Sequence, residues 1–465
     1  MTDYSLMKDF TFGSRDEFIR KPIAEKIIKL LDSDIDVSPL IIDGKWGTGK
    51  TEFCFKLKNL IEADNPNNYK VGYVNAFQAD HTNEPLLTLI AEVAGFYGEN
   101  DDKRKSFIKN AIPYLRLVSG IGIKAIASLA FGKYAADIPD DFQEGMEAIE
   151  EGSDSFIDQS LESMIKDQVE AEKNLSTLRD ALSDIASTNP IILLIDELDR
   201  CRPDFAVMML ETIKHVFDVE NVQIILITNA EQLKATIKHS YGSETDSHSY
   251  LYKFFKYQIN LPTTTKDIEG RSVENNLTYF KTTVQASRVI PQEFKNNEFI
   301  YETPTCLDIG ALSLRNIEQI VRCMETLVVF EDKEHSQSPT VEQIVIVFLS
   351  FVYMLDKVLL EELINKKVND SNFLKFIKSS KINLNSSTDL SKDKNISDLI
   401  LITFNSYLIN SCLIYPSSIL ERNRAMNTIT NSLSKYNYIS SHGISEYSAY
   451  IDHTINNLLL FDIVK

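Results

Sequence analysis

The sequence contains no C-x-x-C pair and no H-E-x-x-H motif, and its five cysteines (Cys54, Cys201, Cys306, Cys323, Cys412) are scattered. An odd, dispersed set argues for neither a disulfide framework nor a zinc site, so reduced thiols in a cytoplasmic compartment are expected. No run of about 18 apolar residues occurs, and no membrane-spanning helix is expected. The nearest approach, residues 117–131, contains Lys124 and several small residues, which leaves peripheral membrane contact as the most it suggests. Residues 1–9 lack a basic segment followed by an apolar one, so no signal peptide is expected. Positive charge is also short: the chain carries a net −19. Such a chain repels a phosphate backbone, and nucleic acid is not expected as a general partner. The acid is concentrated in residues 137–158, which hold no Lys or Arg and read as a solvated surface or lid.

What is present is enough for more than one core, since 465 residues exceed what a single core organises. Apolar runs at residues 39–43, 70–77, 190–195 and 222–228 read as strands, and helical periodicity separates them. This alternation predicts an α/β fold with a parallel sheet flanked by helices. It ends near Pro262, after which the pattern is mainly helical. The expected division is a core over residues 1–262, with an inserted helical and acidic segment at 106–188. A helical lid over 263–335 and a helical C-terminal domain over 336–465 complete it. Residues 379–395, rich in Ser, Asn, Asp and Lys, read as an exposed loop.

Between the first strand and the following helix stand Gly44, Lys45, Trp46, Gly47, Thr48, Gly49, Lys50 and Thr51. They fit G-x-x-x-x-G-K-[ST] at every specified position. Gly44, Gly47 and Gly49 let the backbone wrap so that several amides face one centre. Those amides and the helix dipole favour phosphate oxygens, from the loop onward to Glu52. Lys50 adds charge near the β and γ phosphates, and Thr51 offers a hydroxyl to magnesium.

The strand at residues 190–195 runs into Asp196 and Glu197. Asp196 is placed to hold magnesium, and Glu197 to orient and deprotonate an attacking water. A polar side chain ending the next strand, Thr228 or Asn229, is a candidate for the γ phosphate or the water; an ordinary strand-to-loop turn explains it equally well. Phe10, Phe12 and Phe18 form either core or a base pocket, core being the commoner use of such residues. The residues themselves thus predict a magnesium-dependent nucleoside triphosphatase.

The chain resembles the KAP family of P-loop NTPases, a branch of the STAND group related to AAA+ ATPases. The resemblance covers roughly residues 9–327. It rests on the loop with Trp46 inside it, on Val74 to Phe77, and on Ile195 to Cys201 with its Leu198, Asp199, Arg200 tail. Asn229 to Leu233 and Tyr250 to Phe255, leading into Leu261 and Pro262, add to it. The family usually shows Asp-Asp where this chain has Asp196-Glu197, and glutamate is still a competent base. Many members insert transmembrane helices between the two Walker motifs; here that place falls to residues 106–138, read as a remnant packed within the protein. The resemblance implies ATP as the nucleotide, and no Asn-Lys-x-Asp guanine signature appears. It also implies an arginine after the sheet: Arg315 matches that position without the family's proline, and the alternative is a helix-surface residue. Arg200 or Arg202 acts either as a finger across a subunit interface or as an internal ion pair orienting Glu197. The expected role is a regulatory switch or assembly-driving ATPase, with a protein partner or self-association through the helical C-terminal region. Bacterial members are often linked to anti-phage defence. The alternative is a nucleotide-binding scaffold with little turnover.

Overall fold

A computed structural model describes residues 9–119, 161–266, 269–307, 309, 312–331, 339–378, 396–404, 407–408 and 445–461. The acidic run 137–158, nearly all of the apolar stretch 117–131, the loop 379–395 and an expected helix at 417–433 lie outside the described residues. Two compact units emerge, Met1–Pro262 and Thr263–Lys465.

The first unit opens with α1 (Lys21–Leu31). Its periodicity begins at residue 16, but the helix starts later because the Asp16 carboxylate accepts from the amides of Arg20 (2.8 Å) and Lys21 (2.9 Å), capping the first turn. Then follow β1 (Leu40–Asp43), α2 (Lys50–Ala63), β2 (Lys70–Asn75), α3 (Ala76–Ala79), α4 (Pro85–Ala94) and α5 (Asp102–Ser119). After the undescribed stretch come α6 (Leu161–Thr188), β3 (Ile191–Asp196), α7 (Pro203–Val216), β4 (Val222–Thr228), α8 (Ala230–Tyr241), α9 (Ser247–Tyr252) and β5 (Tyr257–Asn260).

The five strands form one parallel sheet in the order β2-β3-β4-β1-β5. All six residues of β3 are buried, as a central strand covered on both faces requires. Side chains alternate between two cores. Ile191, Leu193 and Ile195 face the core shared with α4, α5, α6 and α7. Ile192 and Leu194 face the core shared with α1 and α2. The described ends of the inserted segment, α5 and α6, pack against each other, and the Tyr97 hydroxyl donates to the Ile185 carbonyl at 3.3 Å. β5 has no counterpart in the sequence reading, because an edge strand with exposed first and last residues leaves no apolar run.

Two details fix the functional end of the sheet. β4 lies between β1 and β3, so Asp43 pairs in register with Thr228, and Asp196 pairs with both Ile227 and Asn75. Asp43 also gathers its surroundings: its carbonyl accepts from the Leu261 amide at 2.9 Å. One carboxylate oxygen accepts from the Ala230 amide at 2.8 Å and the other from the Gln258 side chain at 3.2 Å.

The second unit begins with a short antiparallel pair, β6 (Thr264–Lys266) and β7 (Ser272–Glu274), which the mainly helical pattern did not announce. Helices α10 (Asn275–Ala286), α11 (Gln292–Lys295), α12 (Glu298–Glu302), α13 (Leu314–Phe330), α14 (Pro339–Leu355), α15 (Lys357–Ile364), α16 (Asp370–Phe376), α17 (Ile396–Thr403) and α18 (Ser445–Leu458) follow. α14 is the hub: it packs against α13, α15, α17 and α18, and its Phe348 meets the rings of Phe373, Phe376 and Phe404. Among the described residues no helix is long and apolar enough to cross a membrane.

On β2, a Cβ at Gly72 would stand 2.8 Å from Glu92 and 2.9 Å from the Leu193 side chain. Gly72→Ala is therefore expected to destabilise the first unit by about 1–3 kcal/mol through overpacking. Urea unfolding measures it, and an unchanged midpoint would contradict the packing described.

Candidate functional site

The segment between β1 and α2 is shaped by backbone conformations that favour glycine. Gly47 (φ 70°) and Gly49 (φ 79°) are left-handed. A Cβ at Gly44 would lie 2.9 Å from the Thr48 hydroxyl and 3.3 Å from the Lys50 side chain, so either would have to shift. The Thr48 hydroxyl donates to the Lys45 carbonyl at 2.8 Å, and the Gly44 amide donates to Thr228 of β4 at 3.2 Å. At the centre sits the Lys50 ammonium, donating to the carbonyls of Gly44 (2.6 Å) and Lys45 (3.1 Å). Lys50 is buried. Burial lowers its pKa, and Asp199 and then Asp196 oppose that by attraction. The ammonium thus rests on neutral carbonyls, at the N-terminus of a helix suited to anions.

Asp196 ends β3 beside this loop, 1% exposed. Its carboxylate takes a hydrogen bond from the Thr51 side chain, one from the Glu197 amide at 2.8 Å and one from the Tyr73 hydroxyl at 3.4 Å. Burial nevertheless pushes its pKa up to about 6, with the Glu197 charge adding to the effect. An oxygen-only pair, Thr51 and Asp196, suits magnesium, whose charge would supply what burial withholds. Among the described residues no group of three or more His, Cys, Asp or Glu gathers as a metal cluster.

Glu197 adopts a left-handed backbone (φ 63°), uncommon for a residue with a side chain and frequent at functional turns. The Arg200 guanidinium lies 2.9 Å from one of its carboxylate oxygens, and the Asn75 amide donates to the other at 3.1 Å. Of the two readings of the arginines, the geometry displays the internal pair between Arg200 and Glu197. Arg202 turns elsewhere, to Asp80 (3.1 Å) and Asn83 (2.9 Å). Asp199, two residues beyond Glu197, is buried and accepts from the Trp46 indole and from the Thr228 hydroxyl (3.1 Å).

The remaining expected residues fall as follows. Glu52 sits in the first turn of α2 and pairs with Lys56 at 2.7 Å. Asn229 caps α8 through its side-chain oxygen, which accepts from Gln232 at 3.4 Å. Phe12 packs edge-on against Phe53 in the core, and Phe18 lies under the Arg20 guanidinium at 4.8 Å. Arg315 belongs to the second unit, exposed in the first turn of α13. Sequence reasoning missed Asn75 and Tyr73. The signal for Asn75 was a polar residue inside the apolar run 70–77, which pairing with β3 sets opposite Asp196.

A pH effect follows from Asp196. Its folded pKa of about 6 exceeds its ordinary 3.8, so the folded protein holds this proton more tightly than the unfolded chain. Its contribution is therefore most favourable below about 4 and is lost as pH rises through about 6, a difference of about 3 kcal/mol. Thermal melts without magnesium or nucleotide between those limits are expected to show this decline. Asp196→Asn is expected to remove the decline and melt higher at neutral pH; a parallel profile for both proteins would refute the assignment.

A family model described as a KAP family P-loop domain matches residues 20–333. Comparison with curated proteins gives no match. Among solved structures the chain is similar to C. elegans PCH-2, at 13% identity and a TM-score of 0.27, over 72% of this chain and 64% of that one. The chain thus spans less than two thirds of that relative's length. The match takes in the glycine-shaped loop, the acid-capped β3 and the whole parallel sheet, and on that ground the chain belongs to the KAP family of P-loop domains.

Proposed function

We propose that the chain binds ATP with magnesium at this loop and hydrolyses it as a regulatory switch or assembly-driving ATPase. The observation that carries the reading is the buried Lys50 ammonium, hydrogen-bonded to the loop's own carbonyls beside Thr51 and Asp196. A triphosphate offers that ammonium anionic oxygens in exchange for neutral ones, a stronger class of hydrogen bond. The loop amides and the first turn of α2 receive the remaining phosphate charge. Magnesium, held by Thr51 and Asp196, would neutralise the β and γ oxygens.

Glu197 is the base. Both its carboxylate oxygens are engaged, by Arg200 and Asn75. These partners restrain the base and compete with a water for its oxygens, which favours the second reading, a scaffold that binds nucleotide with little hydrolysis. Arg315 enters as the residue that senses the nucleotide from the helical part, and the helical second unit as the surface for a protein partner or for self-association. Anti-phage defence is the setting that the family resemblance suggests for such a switch.

Lys50→Ala is expected to weaken ATP binding by about 100-fold or more, read by equilibrium titration. Glu197→Gln is expected to keep ATP binding and to lower phosphate release by about 10²- to 10⁴-fold. Equal, negligible release from the unmodified and Glu197→Gln proteins would select the scaffold. Unchanged ATP affinity in Lys50→Ala would overturn the nucleotide assignment itself.

A further inference from the structure

We propose that the hydrogen-bonded chain Trp46–Asp199–Thr228 is a positioning device that ties the phosphate loop to the turn carrying Glu197 and Arg200. It rests on the nucleotide reading above and assigns new roles within that site.

Three separate elements meet at one carboxylate. Trp46 lies in the loop after β1, Asp199 in the helical turn Leu198–Arg200 after β3, and Thr228 at the end of β4. Asp199 is 4% exposed, and each of its oxygens has its own donor: the Trp46 indole for one, the Thr228 hydroxyl for the other. A buried carboxylate is costly unless its lone pairs are filled, so each donor holds Asp199 in place and is held by it. Trp46 is 49% exposed. A core residue would be secured by burial of its rings; half in solvent, this ring is oriented by its single N–H donor.

The covalent neighbours of Asp199 give the contact its consequence. Arg200, the next residue, pairs with Glu197, and Glu197 stands two residues before Asp199 on a left-handed backbone. Lys45, the neighbour of Trp46, contributes one of the two carbonyls that hold the Lys50 ammonium. When Lys50 turns from those carbonyls to phosphate, the strand of loop bearing Trp46 is released from it. The indole carries that change to Asp199 and so to the Glu197–Arg200 pair. Asp199 touches no reacting atom in this account; it sets where Glu197 stands. The attraction of Asp199 for Lys50 reinforces the arrangement.

Trp46 is the chain's one tryptophan, so indole emission reports this contact alone. The test compares the unmodified protein with Trp46→Phe, Asp199→Asn and the double variant. Affinity is measured with a methylanthraniloyl derivative of ATP, turnover by phosphate release, and folding by thermal melting. Asparagine offers one acceptor oxygen to two donors, and phenylalanine keeps the ring and drops the N–H. Each single variant is expected to keep affinity within about threefold and to lose about 10- to 100-fold in kcat. The double variant is expected to be no slower than the slower single one, because both break the same link. The emission change that nucleotide produces in the unmodified protein is expected to vanish in Asp199→Asn. Wild-type kcat in Trp46→Phe, or losses that multiply in the double variant, would overturn the proposal. Should Asp199→Asn fail to fold, Trp46→Phe at an exposed position decides alone. An unmodified protein that does not bind the ATP derivative removes the nucleotide reading and this one together. Normal binding and turnover with unaffected variants removes only this one.

Discussion

A lysine ammonium enclosed by its own loop is the constraint from which the rest of the site follows. Lys50 is buried, and its hydrogen bonds go to carbonyls with no formal charge. Such a cation is tolerated because negative charge stands near it in Asp199 and Asp196. Those acids are themselves buried, so they need donors, which the structure finds in Thr51, Tyr73, Trp46, Thr228 and the Glu197 amide. The glycine turns, the sheet order with β4 between β1 and β3, and the close set of polar partners keep these charges within reach of one another.

Glu197 shows the opposing requirement. Its two carboxylate oxygens are engaged by Arg200 and Asn75, which fix its direction and compete with any other donor. The strained backbone at Glu197 keeps the side chain aimed across the ends of β2 and β3. The charges of the arrangement are matched internally, Glu197 by Arg200 and Lys50 by the nearby Asp196 and Asp199.

What could be read from the sequence was what depends on residue type at short spacing. The loop from Gly44 to Thr51 and the acids closing β3 announce themselves because glycine, lysine and carboxylate have few substitutes in those tasks. The strands β1, β3 and β4 were legible because burial between neighbouring strands and helices leaves near-continuous apolar runs. Partnerships set by strand register were not legible. Asn75 meets Glu197 across 122 positions of sequence and Trp46 meets Asp199 across 153, and no local pattern records either distance. β5 escaped notice because an exposed edge carries no apolar signature. That Arg200 meets Glu197 depends on a turn of three residues whose conformation propensity does not fix.

Asp43 is an anchor at the start of the loop. Its carbonyl and both carboxylate oxygens are bonded to Leu261, Ala230 and Gln258, so the root of the loop is moored to three neighbouring segments at once. A rod clamped at its base bends only beyond the clamp. Here the first pliable joints past Gly44 are the left-handed glycines 47 and 49, and Trp46 and Thr48 stand on the short lever next to them. Movement of the loop is thereby kept off its root and falls to the stretch that carries Trp46 and Thr48.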